Sequence, residues 1–272
     1  MNAVINVPIC PILSQPTKHC ALADEGLYGM EVEILERPAA GWCNVKTYYG
    51  YTGYVTEHCL LSEEPAVRVW AALSKKVVLY KNTCDVLAEP RVQAWPILSL
   101  TRGALVHPIG KEAEGWQKVR FCDGREGYTR SSFLGEYYKN PPAVDEDTFR
   151  RRLQSTALLY WGTHYRWGGR SPLGIDCSGL TFMTYLLNGV VIWRDARIKE
   201  GFPIHEIDRS RMKRGDLLFF RGHVALYVEN GLYIHATGTP GSDGVTVNSL
   251  RPASPAFRPD LAESLSAVGS IF

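Results

Sequence analysis

No run of about 18 apolar residues occurs in the chain, so no segment reads as a membrane-spanning helix. No C-x-x-C pair occurs either. The seven cysteines, Cys10, Cys20, Cys43, Cys59, Cys84, Cys122 and Cys177, are odd in number. A disulfide framework or a zinc knuckle is therefore a poor reading, and mostly free thiols in a reducing compartment fit better. Charge of one sign is also lacking. Lys plus Arg is 30, Asp plus Glu is 28, and the net charge is +2, with no basic block to draw nucleic acid or anionic lipid. The opening MNAVINVPICPILSQPTKHC has no basic leader, and Pro8 and Pro11 interrupt its short apolar run. This predicts a cytoplasmic protein. No motif asks for a metal or an organic cofactor.

What is present is ordinary globular composition. The chain has 272 residues, 45% apolar and 21% charged, with 25 Gly and 16 Pro. Disorder, collagen and coiled coil are excluded, and the length suits two or three domains. The 14 Tyr and 7 Trp suit β-rich domains and ligand surfaces.

A repeat lies in the first half. Gly41 to Leu60 reads GWCNVKTYYGYTGYVTEHCL, and Gly115 to Leu134 reads GWQKVRFCDGREGYTRSSFL, an offset of 74 residues. Trp42 and Trp116, Val45 and Val119, and the glycine pairs Gly50/Gly53 and Gly124/Gly127 coincide, and each glycine pair is expected to flank a tight turn. Strand, glycine-bearing turn and strand through Tyr54 or Tyr128 make a hairpin pattern, and two copies predict two small β-barrels. The repeated aromatics are expected in the barrel cores. The pattern resembles bacterial SH3 domains, over residues 1–62 and 67–137. Lys139 to Ala143 reads as a linker. Asp147 or Thr148 then caps a helix to about Tyr160, with Phe149, Leu153 and Ala157 on one face.

The chemistry lies in the second half. In YWGTHYRWGGRSPLGIDCSGLTFMTYLL, residues 160–187, an irregular loop runs to Ile175 and helix-compatible sequence begins at Ser178. Cys177 thus sits at a helix N-terminus, where the macrodipole and open N–H groups favour a thiolate and could hold an oxyanion. Downstream, GDLLFFRGHVALYVENGLYIHA, residues 215–236, predicts strands at 217–220, 223–228 and 232–236, the last two joined by the turn Glu229-Asn230-Gly231, with His223 and His235 about level across the hairpin. Cys177, His223 and His235 form a Cys-His-His constellation.

These segments resemble the NlpC family of papain-like cell-wall cysteine peptidases. The matching pieces are Tyr165 to Gly169, Asp176-Cys177-Ser178-Gly179-Leu180, Arg194-Asp195-Ala196, Arg214 to Leu217, His223 to Tyr227, and Ile234-His235-Ala236. The resemblance implies an α+β chain, with a papain-like peptidase domain at 145–272 behind two SH3-like β-barrels. It implies Cys177 as nucleophile, His223 as base and acid, and His235 as the residue orienting His223. Tyr165 would assist the Cys177 N–H at the oxyanion. Trp167 would wall the groove or pack under the loop, and Ser178 would join the substrate contacts. Arg194 and Asp195 would line the groove or, the favoured reading, form a buried pair fixing the loop.

With two barrels and no export signal, the chain is similar to recycling-type γ-D-glutamyl-L-diamino acid endopeptidases. That branch implies a peptidoglycan-derived peptide with a free N-terminal L-Ala. Its amine would be held by Asp176 (also a candidate helix cap) and Tyr51. Arg125 takes the place of Tyr51 in the second repeat, so the hairpin does not require that Tyr. Asp24 and Glu25 lie near an acidic position of the family without matching its pattern. An exported hydrolase of intact cell wall is the alternative.

Overall fold

The computed structural model describes all 272 residues and divides into two compact units, Met1–Tyr137 and Tyr138–Phe272. In the first unit, one antiparallel sheet runs in the spatial order Leu22–Leu27, Ile9–Leu13, Thr52–Thr56, Trp42–Thr47, Glu31–Ala39, Asn2–Ile5, Leu60–Leu61. A second sheet repeats that order with Pro96–Thr101, Thr83–Leu87, Glu126–Arg130, Trp116–Arg120, Leu105–Ala113, Lys76–Val78, Leu134–Glu136.

The repeat has a backbone cause. Gly50 and Gly124 have φ of 82° and 86°, a left-handed conformation that a side chain resists. Gly53 and Gly127 do not flank the turn as the sequence suggested; both lie inside the second strand of the hairpin. A Cβ on Gly53 would stand 2.8 Å from the Leu13 carbonyl oxygen, and one on Gly127 2.8 Å from that of Leu87. A third strand crosses closely at that point, so the second glycine is needed for approach rather than turning. Trp116 is buried and stacked under the Arg130 guanidinium, whereas Trp42, Tyr54 and Tyr128 are half-buried.

A helix unread in the sequence, Glu64–Ala72, links the two sheets. Its buried residues Val67 and Trp70 lie three apart, on one face. The Trp70 indole N–H donates to the Gly29 carbonyl at 2.9 Å, and the Leu105 N–H donates to the Tyr28 carbonyl at 2.9 Å. Tyr28 meets Phe121 edge-on at 5.7 Å. These contacts form a buried seam between the sheets.

The second unit packs the helices Glu146–Leu158 and Cys177–Leu186 with a six-stranded antiparallel sheet. Its spatial order is His205–Ile207, Leu265–Ser270, Leu217–Phe220, His223–Glu229, Leu232–Thr237, Gly244–Ser249. Asp145 caps the first helix by accepting the Thr148 N–H at 2.9 Å, two residues before the earliest expected cap. Phe149, Leu153 and Ala157 form its buried face. Arg150, also buried, reaches Asp216 at 2.8 Å and the Arg214 carbonyl at 2.6 Å. Tyr185 of the second helix donates to the Gly215 carbonyl at 2.6 Å. The segment Arg214-Gly215-Asp216 therefore ties both helices to the sheet. No helix of the structure is long and apolar enough to cross a membrane.

Candidate active site

Asp176 ends the irregular loop and caps the Cys177–Leu186 helix, its Oδ1 accepting the Gly179 N–H at 2.6 Å. Cys177 is thus the first helical residue, and its own N–H has no intrahelical acceptor. Its side chain packs against the start of the strand His223–Glu229, where the Val224 N–H donates to the sulfur. The residue before Val224 is His223, so the strand that meets the sulfur begins with the imidazole.

The expectation of a thiolate at rest does not hold. Burial, together with the Asp176 charge, pushes the Cys177 thiol up to about 11. The Val224 and Ser178 N–H groups and Arg194 oppose this and are outweighed. Desolvation disfavours the ion more than a helix terminus favours it when the capping residue is itself an anion. Burial also drives His223 down to about 3, with His235 and Arg258 adding to the effect and Asp260 opposing it. Burial takes His235 to about 4, against a hydrogen bond from Asn248 that favours its charged form. The resting site therefore holds a neutral thiol and two neutral imidazoles.

The sheet carries the imidazoles as a chain. Pairing of Leu226 with Ile234 sets His235 opposite Ala225, two residues from His223 rather than level with it. Period-two alternation keeps both rings on one face, and the diagonal is short enough for contact. His223 Nε2 and His235 Nδ1 lie 2.7 Å apart. One strand further, His235 Nε2 lies 2.9 Å from Asn248 Oδ1. Asn248 stands on Gly244–Ser249, where Thr246 pairs with His235, so it too is one diagonal step away. The sequence reading missed Asn248. Its signal was the alternation in GVTVNS, which sends Asn248 to the face opposite Val245 and Val247.

Other expected residues have defined places. Arg194 is 2% exposed and fixes the loop, but its acidic partner is Asp176, not Asp195. Its Nη1 donates to Asp176 Oδ1 at 3.1 Å and to Ser178 Oγ at 2.8 Å. Its Nη2 reaches the Gly168 and Gly169 carbonyls at 3.1 and 3.3 Å and Asp176 Oδ2 at 3.3 Å. Asp195 instead accepts from the Trp193 indole at 3.2 Å. Asp176 also accepts from the Gly168 N–H at 2.8 Å and the Ser178 hydroxyl at 3.2 Å. Its carboxylate thus receives five donors, and Asp176 and Ser178 are both engaged in holding the loop. Trp167 is 69% exposed and does not pack under the loop. Tyr165 is half-buried, and burial, with the Asp176 carboxylate adding to it, raises its hydroxyl above the ordinary range. In the first unit, Tyr51 is half-buried and closes the turn between Trp42–Thr47 and Thr52–Thr56. The aromatic hydroxyl that meets buried Asp24 is that of Tyr49. Glu25, next to Asp24, is buried as well. No group of three or more His, Cys, Asp or Glu side chains is arranged to hold a metal ion.

A cysteine at a helix N-terminus, packed on an antiparallel sheet that presents an imidazole chain, defines a papain-like thiol hydrolase fold. The profile of the NlpC/P60 family matches residues 162–257, and that of the bacterial dipeptidyl-peptidase Sh3 domain matches residues 12–60. The chain is 43% identical over 275 residues to the dipeptidyl-peptidase 6 of Lysinibacillus sphaericus, covering 100% of both chains. It is 30% identical over 244 residues to a γ-D-glutamyl-L-lysine dipeptidyl-peptidase of Bacillus cereus, covering 79% of this chain and 67% of that one. The chain belongs to the NlpC/P60 family of cysteine peptidases. A solved NlpC/P60 family protein from Bacillus cereus shares the fold, with a TM-score of 0.82 at 19% identity over 98% of both chains.

Proposed function

We propose that this protein is a cysteine endopeptidase that hydrolyses the γ-D-glutamyl–diamino acid bond of L-Ala-γ-D-Glu-diamino acid peptides derived from peptidoglycan. The observation that carries the reading is the Cys177 sulfur at the Val224 N–H, one residue from His223, whose ring continues into His235. The names of the two relatives above support the bond and the dipeptide product.

In this reading the Cys177 sulfur attacks the γ-carbonyl carbon of D-Glu as its proton passes to His223. With Nε2–H directed at His235, the Nδ1 lone pair of His223 is the acceptor. The Cys177 N–H receives the developing oxyanion, with the Tyr165 hydroxyl assisting. His223 then protonates the leaving amine, and the C–N bond breaks to leave a thioester. Water, deprotonated by His223, cleaves the thioester and releases L-Ala-γ-D-Glu. A neutral resting pair suits this sequence, because charge separates only when substrate covers the site.

The preference for a free N-terminal amine rests on the family resemblance, and Trp167 is an exposed aromatic available to line the groove. A cytoplasmic role in reclaiming wall peptides goes with this reading. Seven free cysteines support a reducing compartment, and fractionation of the native host tests it.

Mass spectrometry of digests of L-Ala-γ-D-Glu-diaminopimelate and its lysine counterpart, with and without N-acetylation, tests the activity. The expected result is release of the dipeptide L-Ala-γ-D-Glu from the free-amine peptides only. Cleavage elsewhere overturns the reading. Equal cleavage of acetylated peptides, or solubilisation of intact wall, favours the exported hydrolase.

A further inference from the structure

We propose that Asn248 is a positioning residue that sets the direction of the whole proton chain, so that the lone pair ends at His223 Nδ1, facing the thiol. This rests on the cysteine-peptidase reading above.

An imidazole pair is symmetric in principle. Either ring nitrogen carries the hydrogen, and two rings joined by one hydrogen bond can run in either direction. The pair alone therefore does not decide whether His223 offers the thiol a lone pair or an N–H. Asn248 removes the symmetry. Its Nδ2 lies 3.1 Å from the Ala256 carbonyl, which can only accept. That fixes the amide NH2 towards Ala256 and Oδ1 towards His235. The same carbonyl also accepts the Ser249 N–H at 2.9 Å, so it is anchored to the strand that carries Asn248. Oδ1 can only accept, so His235 Nε2 carries hydrogen across the 2.9 Å contact. His235 Nδ1 is then bare and accepts from His223 Nε2–H at 2.7 Å. What remains on His223 is the Nδ1 lone pair.

His235 is fully buried, so water does not substitute for the amide oxygen. Without an acceptor at position 248, the productive direction would leave a buried N–H unpaired. The reversed direction would leave only a bare nitrogen there and would place an N–H on His223 Nδ1. The other groups around the rings are Phe220, 5.9 Å from His223 between ring centroids, Tyr233, 5.2 Å from His235, and the Arg258–Asp260 ion pair.

The test compares Asn248→Leu and Asn248→Asp in the full chain, reading kcat, KM and the pH profile of kcat/KM on the L-Ala-γ-D-Glu-diaminopimelate peptide, with thermal melts as control. Asn248→Leu should lower kcat roughly tenfold or more, the equivalent of one unpaired buried donor, with KM little changed. Asn248→Asp keeps an acceptor and adds a charge. It should retain more kcat than the Leu variant and move the acidic limb of the profile up by about one pH unit. A Leu variant within twofold of the parent kcat overturns the proposal, as does an Asp variant whose acidic limb stays in place. If the Leu variant does not fold, the Asp profile decides alone. Cys177→Ala, run in parallel, isolates the underlying reading: residual cleavage by that variant refutes the mechanism whatever Asn248 does.

Discussion

Lowering the pH from 7 to 5 should destabilise the protein by about 4 kcal/mol through two side chains alone. His223 and His235 are held neutral in the fold at about 3 and 4, whereas an unfolded histidine titrates near its ordinary 6.5. Between those values the unfolded chain binds more protons than the folded one, so stability falls as pH falls. At pH 5 each unfolded imidazole gains about 2 kcal/mol from protonation that the native site does not share. The carboxylates whose acidities are strengthened in the fold, Asp145, Glu146 and Asp260 among them, lose their contribution only as pH falls below about 4.5. Cys59, held down to about 6 chiefly by a hydrogen bond from Cys10, also loses its contribution over this interval, about 1 kcal/mol, so the histidine share is read from the difference that a histidine substitution makes. Urea unfolding at half-unit steps, followed by tryptophan fluorescence, measures the effect, and His235→Asn should remove about half of it. A His235→Asn variant that loses as much stability as the parent over this interval would refute the reasoning. So would stability that rises towards pH 5, because it requires an imidazolium in the resting site.

Two further predictions concern the scaffold of the site. Arg194→Met removes the countercharge of a buried carboxylate and leaves the Gly168 and Gly169 carbonyls without their guanidinium donor, so it should cost about 3–5 kcal/mol in chemical denaturation. It should also slow iodoacetamide labelling of Cys177, because Arg194 lowers that thiol's pKa and Asp176 raises it; unchanged stability and labelling would show that Arg194 does not hold the loop. Asp145→Ala removes the cap of the Glu146–Leu158 helix and should cost about 1 kcal/mol in the same assay, most of it recovered by Asp145→Ser.

Much of this protein is legible without coordinates, wherever the cause is local. The 74-residue repeat shows because each hairpin needs a left-handed glycine and then a glycine where a third strand crosses. The helix start at Cys177 shows because Asp176 is a capping residue that follows a glycine- and proline-broken loop. The strands at 217–220, 223–228 and 232–236 show in their apolar runs and in the Asn230-Gly231 turn. The helix Glu64–Ala72 does not show, because its two buried residues find their partners, Gly29 among them, a whole sheet away in sequence. The partner of Arg194 was misread for a related reason: Asp195 is its neighbour in the chain, but the fold turns Arg194 inward to Asp176 and leaves Asp195 to Trp193. The charge state of Cys177 needed the tertiary structure too. A helix terminus acts locally and can be read from sequence, whereas desolvation depends on everything packed around the sulfur. Asn248 belongs with these. Its identity is printed in the chain, but its role depends on the register of three adjacent strands, and strand register comes from the assembled sheet.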